Sequence, residues 1–286
     1  MKIVVCYSCQ AGGIGAALKT IFPQASVLML LPSQIEQVRV ELKDSNVFVT
    51  NQEMLDRLGV IDSYCRKIMV PDFLFAAFHP DICAAFVRSK REITKHHYNS
   101  LITAWGYSRG LEIAETSLLF RRDIFAALGY FDRWVDAVSR LQKNFELAGY
   151  TSKQFRFFFQ KIKRFGLFCH SHNHPYPVVL VELAKLVAQQ IDCTAVSRCG
   201  DIAIADGLLS TVWPVYPEIG LSYGLPGCFS WRIEHQNFHG INAFLEYTYE
   251  EYDSQCLGRQ DLCRNLSSND GFLRVDRIMQ EIGVTF

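Results

Sequence analysis

Short apolar runs alternate with stretches of helical spacing between Ile3 and Val70. Ile3 to Cys6 reads as a buried strand, Tyr7 to Gly13 as a small and polar loop, and Ile14, Ala17, Leu18, Ile21 and Phe22 recur at helical spacing. Val27 to Leu31 gives a second strand, and Ser33 with Glu36 forms a capping box for a helix running to about Leu42. Val47 to Val49 is the third strand. Asn51 caps a short helix containing Met54, Leu55 and Leu58, and Ile68 to Val70 is a fourth strand that stops at Pro71. Strand and helix alternating in this way predict a small, mostly parallel sheet covered by helices.

Beyond Pro71 the pattern changes to long amphipathic stretches closed by glycines: Ile113 to Leu128 before Gly129, Phe131 to Leu147 before Gly149, and Lys153 to Phe165 before Gly166. Pro177 opens another helix to about Gln190, and Ala243 to Tyr252 is a late one. Phe155, Phe157, Phe158 and Phe159 read as core and inter-helix packing. The expected fold is therefore α/β: a small, mostly parallel N-terminal sheet embedded in a principally helical single-unit fold. Residues 1–75 form an α/β subdomain, and 76–286 a mainly helical part that completes a cleft.

Composition narrows the function. With 286 residues and 49% hydrophobic content the chain can bury a large core. Lys+Arg and Asp+Glu are equal at 29 each, which removes the electrostatic footprint of a nucleic-acid binder, so any phosphate must be held locally. No run approaches the roughly 18 apolar residues of a membrane span, and Met1 to Cys6 lacks the pattern of a signal peptide, so a cytoplasmic protein is expected. The ten cysteines lack the paired groups of a zinc ribbon; most are expected as buried thiols, with Cys6, Cys83 and Cys193 in apolar surroundings. Cys6 and Cys9 form a single Cys-x-x-Cys, but Cys6 sits at an apolar strand position, which argues against a redox pair.

Cys9, in Tyr7-Ser8-Cys9-Gln10-Ala11-Gly12-Gly13, follows the first strand, where the carboxyl edge of a parallel sheet binds ligands. The helix behind it should favour thiolate and offer N–H donors to an oxyanion or phosphate. Gly12, Gly13 and Gly15 do not have dinucleotide-fingerprint spacing, which argues against a nicotinamide cofactor. In Cys169-His170-Ser171-His172-Asn173-His174-Pro175 an extended chain would put three imidazoles on one face, as zinc requires. The acidic residues of a catalytic zinc motif are missing nearby and a polar turn explains the composition equally well, so no metal is expected. One of these histidines could instead serve as a base beside Cys9. Phe78-His79-Pro80-Asp81 places a histidine and a carboxylate two residues apart shortly after the fourth strand. The basic run Arg88-Ser89-Lys90-Arg91, with Lys95, His96 and His97, could hold phosphate or form a solvated helix face.

These landmarks, with Val70-Pro71, Leu128-Gly129-Tyr130-Phe131-Asp132-Arg133-Trp134 and Val212-Trp213-Pro214-Val215-Tyr216-Pro217, occur in the order seen in WcbI-like capsular-polysaccharide acetyltransferases, which the chain resembles over about residues 1–255. It departs from the family pattern at Tyr7-Ser8, where Gly-Asn is usual, at Asp72, where asparagine is common, and at His172, which replaces an apolar residue. The resemblance implies transfer of an acetyl group from acetyl-CoA, as co-substrate, to a hydroxyl of a sugar, sugar nucleotide or polysaccharide, in association with a polysaccharide assembly complex. In that reading Cys9 lies near the thioester, His174 or His79 is the base, Gln10, Gly12 and Gly13 contact coenzyme A, and Asp81, His170 and Asn173 contact the acceptor. A covalent acyl-Cys9 and direct attack by the hydroxyl both fit. The rivals are a cysteine-dependent esterase of SGNH-hydrolase-like architecture and a non-catalytic glycan-binding scaffold.

Overall fold

The computed structural model describes residues 1–60, 65–83, 98–254, 262 and 270–284. The basic run from Arg88 to His97 lies outside them. The chain forms two compact units, one of Met1–Phe75 with Val138–Leu209 and the other of Ala76–Ala137 with Ser210–Phe286.

The first unit holds the expected parallel sheet. Strands β1 (Lys2–Val5), β2 (Ser26–Met29), β3 (Val47–Thr50) and β4 (Arg66–Met69) lie in the order β2-β1-β3-β4, all parallel. Side chains alternate across the strand. Val4 and Phe48 join Val38 and Leu42 of α2 (Ile35–Leu42) and Met54 and Leu58 of α3 (Gln52–Leu58) in one core cluster. Cys6, one residue past β1, belongs to the same cluster and has no exposed surface. Asn51 caps α3 as expected, its Oδ1 accepting from Met54 N at 2.9 Å. The capping box expected at Ser33 and Glu36 does not form. Helix α2 starts at Ile35 without a side-chain cap, and Gln34 instead turns back to accept from Leu31 N at 2.8 Å.

Helix α1 (Ala11–Ile21) begins inside the stretch expected to be loop. Its glycines serve packing: a Cβ at Gly13 would lie 2.3 Å from Leu180 Cδ1 of the helix Pro177–Ile191, and one at Gly15 would lie 2.2 Å from Met29 Cγ on β2. Among the expected aromatics, Phe155 and Phe158 are buried and Phe159 packs on Phe75 and Phe168, but Phe157 is 59% exposed on the outer face of the helix Ser152–Lys163.

The second unit contains α4 (Leu101–Arg109), α5 (Ile113–Ser117), α6 (Arg122–Ala127), α10 (Pro217–Ser222), α11 (Ile241–Ser254) and α12 (Asp270–Glu281); the helices of the first unit at Ser152–Lys163 and Pro177–Ile191 are α8 and α9, and α7 is Arg133–Leu147. The single helix expected from Ile113 to Leu128 is two, interrupted at Leu118 to Arg121. Gly129, Gly149 and Gly166 all have positive φ, as their capping role requires. The aromatic core centres on Trp231, stacked on Phe244 at 4.2 Å, with Trp213 edge-on to both.

Asp81 is the polar centre of this unit. It has no exposed surface and accepts from Tyr216 Oη at 2.7 Å, Tyr130 Oη at 2.8 Å and Ile102 N at 3.1 Å, with Ser100 as a further donor. These bonds join the short strand pair Ile82–Cys83 and Asn99–Ser100 to α4, to the turn after α6 and to the segment before α10.

Burial raises the Asp81 pKa from 3.8 to about 6, against the opposing pull of its four donors. Below about pH 4 folded and unfolded chains both carry the proton; between about pH 4 and 6 only the folded chain does. Stability contributed by Asp81 is therefore complete at the acid end and falls as pH rises to about 6, by roughly 3 kcal/mol. In urea titrations at pH 4, 5, 6 and 7, Asp81→Asn is expected to be less stable than the wild type at every pH, by a margin that narrows from pH 4 to 6. A constant margin would show that Asp81 does not titrate in this interval.

Candidate functional site

Strand order β2-β1-β3-β4 makes the carboxyl end of β1 the point at which the chain first leaves in one direction and then crosses to the other side, which is where open α/β sheets form ligand crevices. Cys9 stands there, in a tight turn between β1 and α1 closed by Ala11 N donating to Ser8 O at 3.1 Å. Cys9 is exposed; Cys6, Cys65, Cys83 and Cys169 are buried, and Cys193, expected in apolar surroundings, is exposed at the end of α9.

The electrostatics differ from expectation. Desolvation by the surrounding chain raises the Cys9 pKa, while the backbone N–H groups of Cys9 and Gln10 pull it down without overcoming that effect. Helix α1 does not turn Cys9 into a standing thiolate. Burial lifts the Cys6 thiol to about 11.

Gln10, next to the thiol, is 4% exposed and its amide is spent internally: Nε2 donates to Phe73 O at 3.1 Å and to Asn173 O at 2.9 Å. One side chain thus ties the Cys9 turn both to the segment leaving β4 and to the histidine segment. Asp72 beside Phe73 is held in turn by Asn51 Nδ2 at 2.7 Å on its Oδ1 and by Asn144 Nδ2 at 2.8 Å on its main-chain oxygen. The backbone N–H of Gly12 and Gly13 falls in the first turn of α1, where no intrahelical acceptor exists. A Cβ at Gly12 would meet nothing within 4 Å, so this turn opens onto free space on that side.

The histidine segment is a hairpin, with strands Cys169–Ser171 and His174–Pro175 paired antiparallel. His172 and Asn173 form its turn, so the three histidines do not share the face of one strand. Phe75 N donates to His172 O at 2.6 Å, and Ser171 Oγ to Asn173 Oδ1 at 3.3 Å. Burial, then the nearness of His174 and Arg140, lowers His172 to about 4, which keeps its ring neutral near pH 7. His170 is 8% exposed, its Nε2 lies 2.7 Å from Asp206 Oδ2, and its ring packs 4.4 Å from that of Tyr176. An imidazole oriented by a carboxylate is the arrangement of a general base. No motif or spacing connects Asp206 with His170; only the fold does.

The structure therefore gathers Cys9, Gln10, Gly12, Gly13, His170, Asn173 and His174 in the first unit, while His79 and Asp81 belong to the second. His79 is 2% exposed beside the ring of Phe78, and Asp81 has its oxygens turned to internal donors. A recess of about 570 Å³ also lies in the first unit, lined by Ile21, Phe22, Pro23, Cys199 and Ile202 among others, but it opens at the C-terminal end of α1, opposite Cys9.

Comparison with known proteins gives the family and the fold. The profile of a family described as "Polysaccharide biosynthesis enzyme WcbI" matches residues 2–196. A solved structure of WcbI, described as a novel polysaccharide biosynthesis enzyme in its native form without a disulfide bond between coenzyme A and one of its cysteines, superimposes with a TM-score of 0.68. It is 14% identical, and the alignment covers 97% of this chain and 98% of that one. Curated proteins give no match.

Gln10→Ala leaves two carbonyls without their donor and is expected to cost roughly 2–4 kcal/mol. Gln10→Glu keeps the shape but sets oxygen against oxygen and should be at least as costly. In both variants hydrogen exchange at Phe75 N, bonded to the hairpin turn, should accelerate. Unchanged exchange there would mean that Gln10 does not hold the hairpin.

Proposed function

The chain belongs to the WcbI family of polysaccharide biosynthesis enzymes, and on that premise we propose that it transfers an acetyl group from acetyl-CoA to a hydroxyl of a sugar. The observation that carries this reading is the exposed Cys9, held by the Gln10 amide at the N-terminal end of α1 on the ligand edge of the sheet. The description of the solved neighbour names coenzyme A together with one of that protein's cysteines, in a form without a disulfide bond between them, and Cys9 is the cysteine this chain offers at the sheet edge.

The residues fit a thioester. The open side of Gly12 admits a ligand to the first turn of α1, and the N–H groups of Gly12 and Gly13 supply donors for the oxyanion formed at the acetyl carbonyl. Such donors are worth about 3–4 kcal/mol each when removed from comparable sites. The base role passes from His174 or His79 to His170, whose Nε2 donates to Asp206 and leaves Nδ1 to take the proton of the sugar hydroxyl. The hydroxyl oxygen then attacks the acetyl carbon, the carbon–sulfur bond breaks, and the thiolate of coenzyme A leaves and recovers the proton from His170. The raised pKa of Cys9 favours this direct route over a standing nucleophilic thiolate. In it Cys9 borders the thioester.

Three measurements test the reading. Calorimetry should detect coenzyme A binding to the wild-type protein, and no interaction at millimolar concentration would reject the assignment. Asp206→Asn should lower kcat of acetyl transfer by about 100-fold or more while KM for acetyl-CoA changes little; equal loss from His174→Ala with Asp206→Asn neutral would move the base to His174. Retained turnover in Cys9→Ala is expected for direct transfer, whereas a hydroxylamine-sensitive acetyl group on Cys9 after incubation without acceptor would establish the covalent route.

A further inference from the structure

In the second unit two guanidinium groups converge on one peptide. Arg133, at the start of α7, reaches back so that its Nη2 lies 3.5 Å from Leu128 O, at the outer limit of a hydrogen bond. Arg274, on α12, lays its Nη2 against the next residue, Gly129, where a Cβ would lie only 2.8 Å from it. Neither arginine makes an ion pair within 4 Å among the described residues, although Asp132 and Asp136 attract Arg133 from farther away. Arg133 Nε is sealed from solvent without a protein acceptor, and so is the hydroxyl of Tyr223, whose ring packs 5.3 Å from that of Trp134. Tyr223 lies within electrostatic reach of Asp132 and of Arg133.

Like charges brought together, with buried donors left over, are costly unless an anion joins them. We propose that Arg133, Arg274 and Tyr223 form a binding site for a phosphate group of a phosphorylated ligand. The forked guanidinium suits the oxygens of a phosphate, and two of them match a dianion. Gly129, with φ of 67°, allows the backbone to pass beneath Arg274 where any side chain would push it away. The landmark Gly129 to Trp134 thus has a chemical role in addition to ending α6. The same phosphate chemistry is present in coenzyme A and in a nucleoside diphosphate-linked sugar. The site does not depend on the acetyl-transfer reading, because a simple anion tests it.

Inorganic pyrophosphate is the first probe, titrated by calorimetry into wild-type protein and into Arg274→Gln, which alters an exposed side chain, and Arg133→Lys. Pyrophosphate should bind the wild type, and both variants should bind it about tenfold or more weakly, because each loses charge-assisted bonds. Sodium chloride at matched ionic strength should give no heat of binding. Weaker binding of coenzyme A, but not dephospho-coenzyme A, by Arg274→Gln would place the 3′-phosphate here; weaker binding of uridine diphosphate alone would place the acceptor's diphosphate here. Equal pyrophosphate affinity in all three proteins, or none in the wild type, would overturn the site. So would a loss of melting temperature in Arg274→Gln accompanied by unchanged affinity, which would leave the arginines as supports for the end of α6.

Discussion

The position of the edge that carries Cys9 depends on one buried amide. Gln10 Nε2 donates to Phe73 O and to Asn173 O, and through those two bonds the turn after β1, the exit from β4 and the histidine hairpin become a single rigid edge. The alternative is costly, since two main-chain carbonyls would lose their donor. Phe75 N donating to His172 O strengthens the same connection, and Asp72 is braced by Asn51 and Asn144. Cys9 is presented to solvent from this frame. Its exposure is thus a consequence of burying its neighbour.

Parallel strands and their helices were legible because the two central strands, β1 and β3, bury nearly every residue. Such strands stand out as apolar runs, and the helices between them show spacing that no strand can imitate. The second unit was harder to read. Its hairpin Ser230–Ile233 and Gln236–His239 turns through Glu234 and His235, both at positive φ, where asparagine and glycine would have announced the turn. Helix α4 is buried over most of its length and shows no clear polar face. The interruption between α5 and α6 falls at Leu118 to Arg121, which contains neither proline nor glycine.

Local sequence placed Cys9 in the turn after β1 but did not describe its surroundings. The position of Cys9 after β1 follows from strand order, but its thiol is raised by desolvation, which local sequence does not show. Gly12 and Gly13 suggested a ligand loop; Gly13 is a glycine because Leu180 leaves no room for a side chain. Gln10 suggested a ligand contact and its amide instead binds the frame. Asp206, the partner of His170, lies 36 positions away, and nothing in Ala203 to Gly207 marks it. Pairings made by folding, unlike periodicity, leave no local trace.

The central claim is that the turn carrying Cys9 is where coenzyme A binds. Timed alkylation with iodoacetamide followed by peptide mapping tests it directly, because Cys193 and Cys228 are also exposed and serve as internal controls. Coenzyme A at saturating concentration should slow the labelling of Cys9 several-fold and leave Cys193 and Cys228 unchanged. Labelling of Cys9 at the same rate with and without coenzyme A would contradict the account.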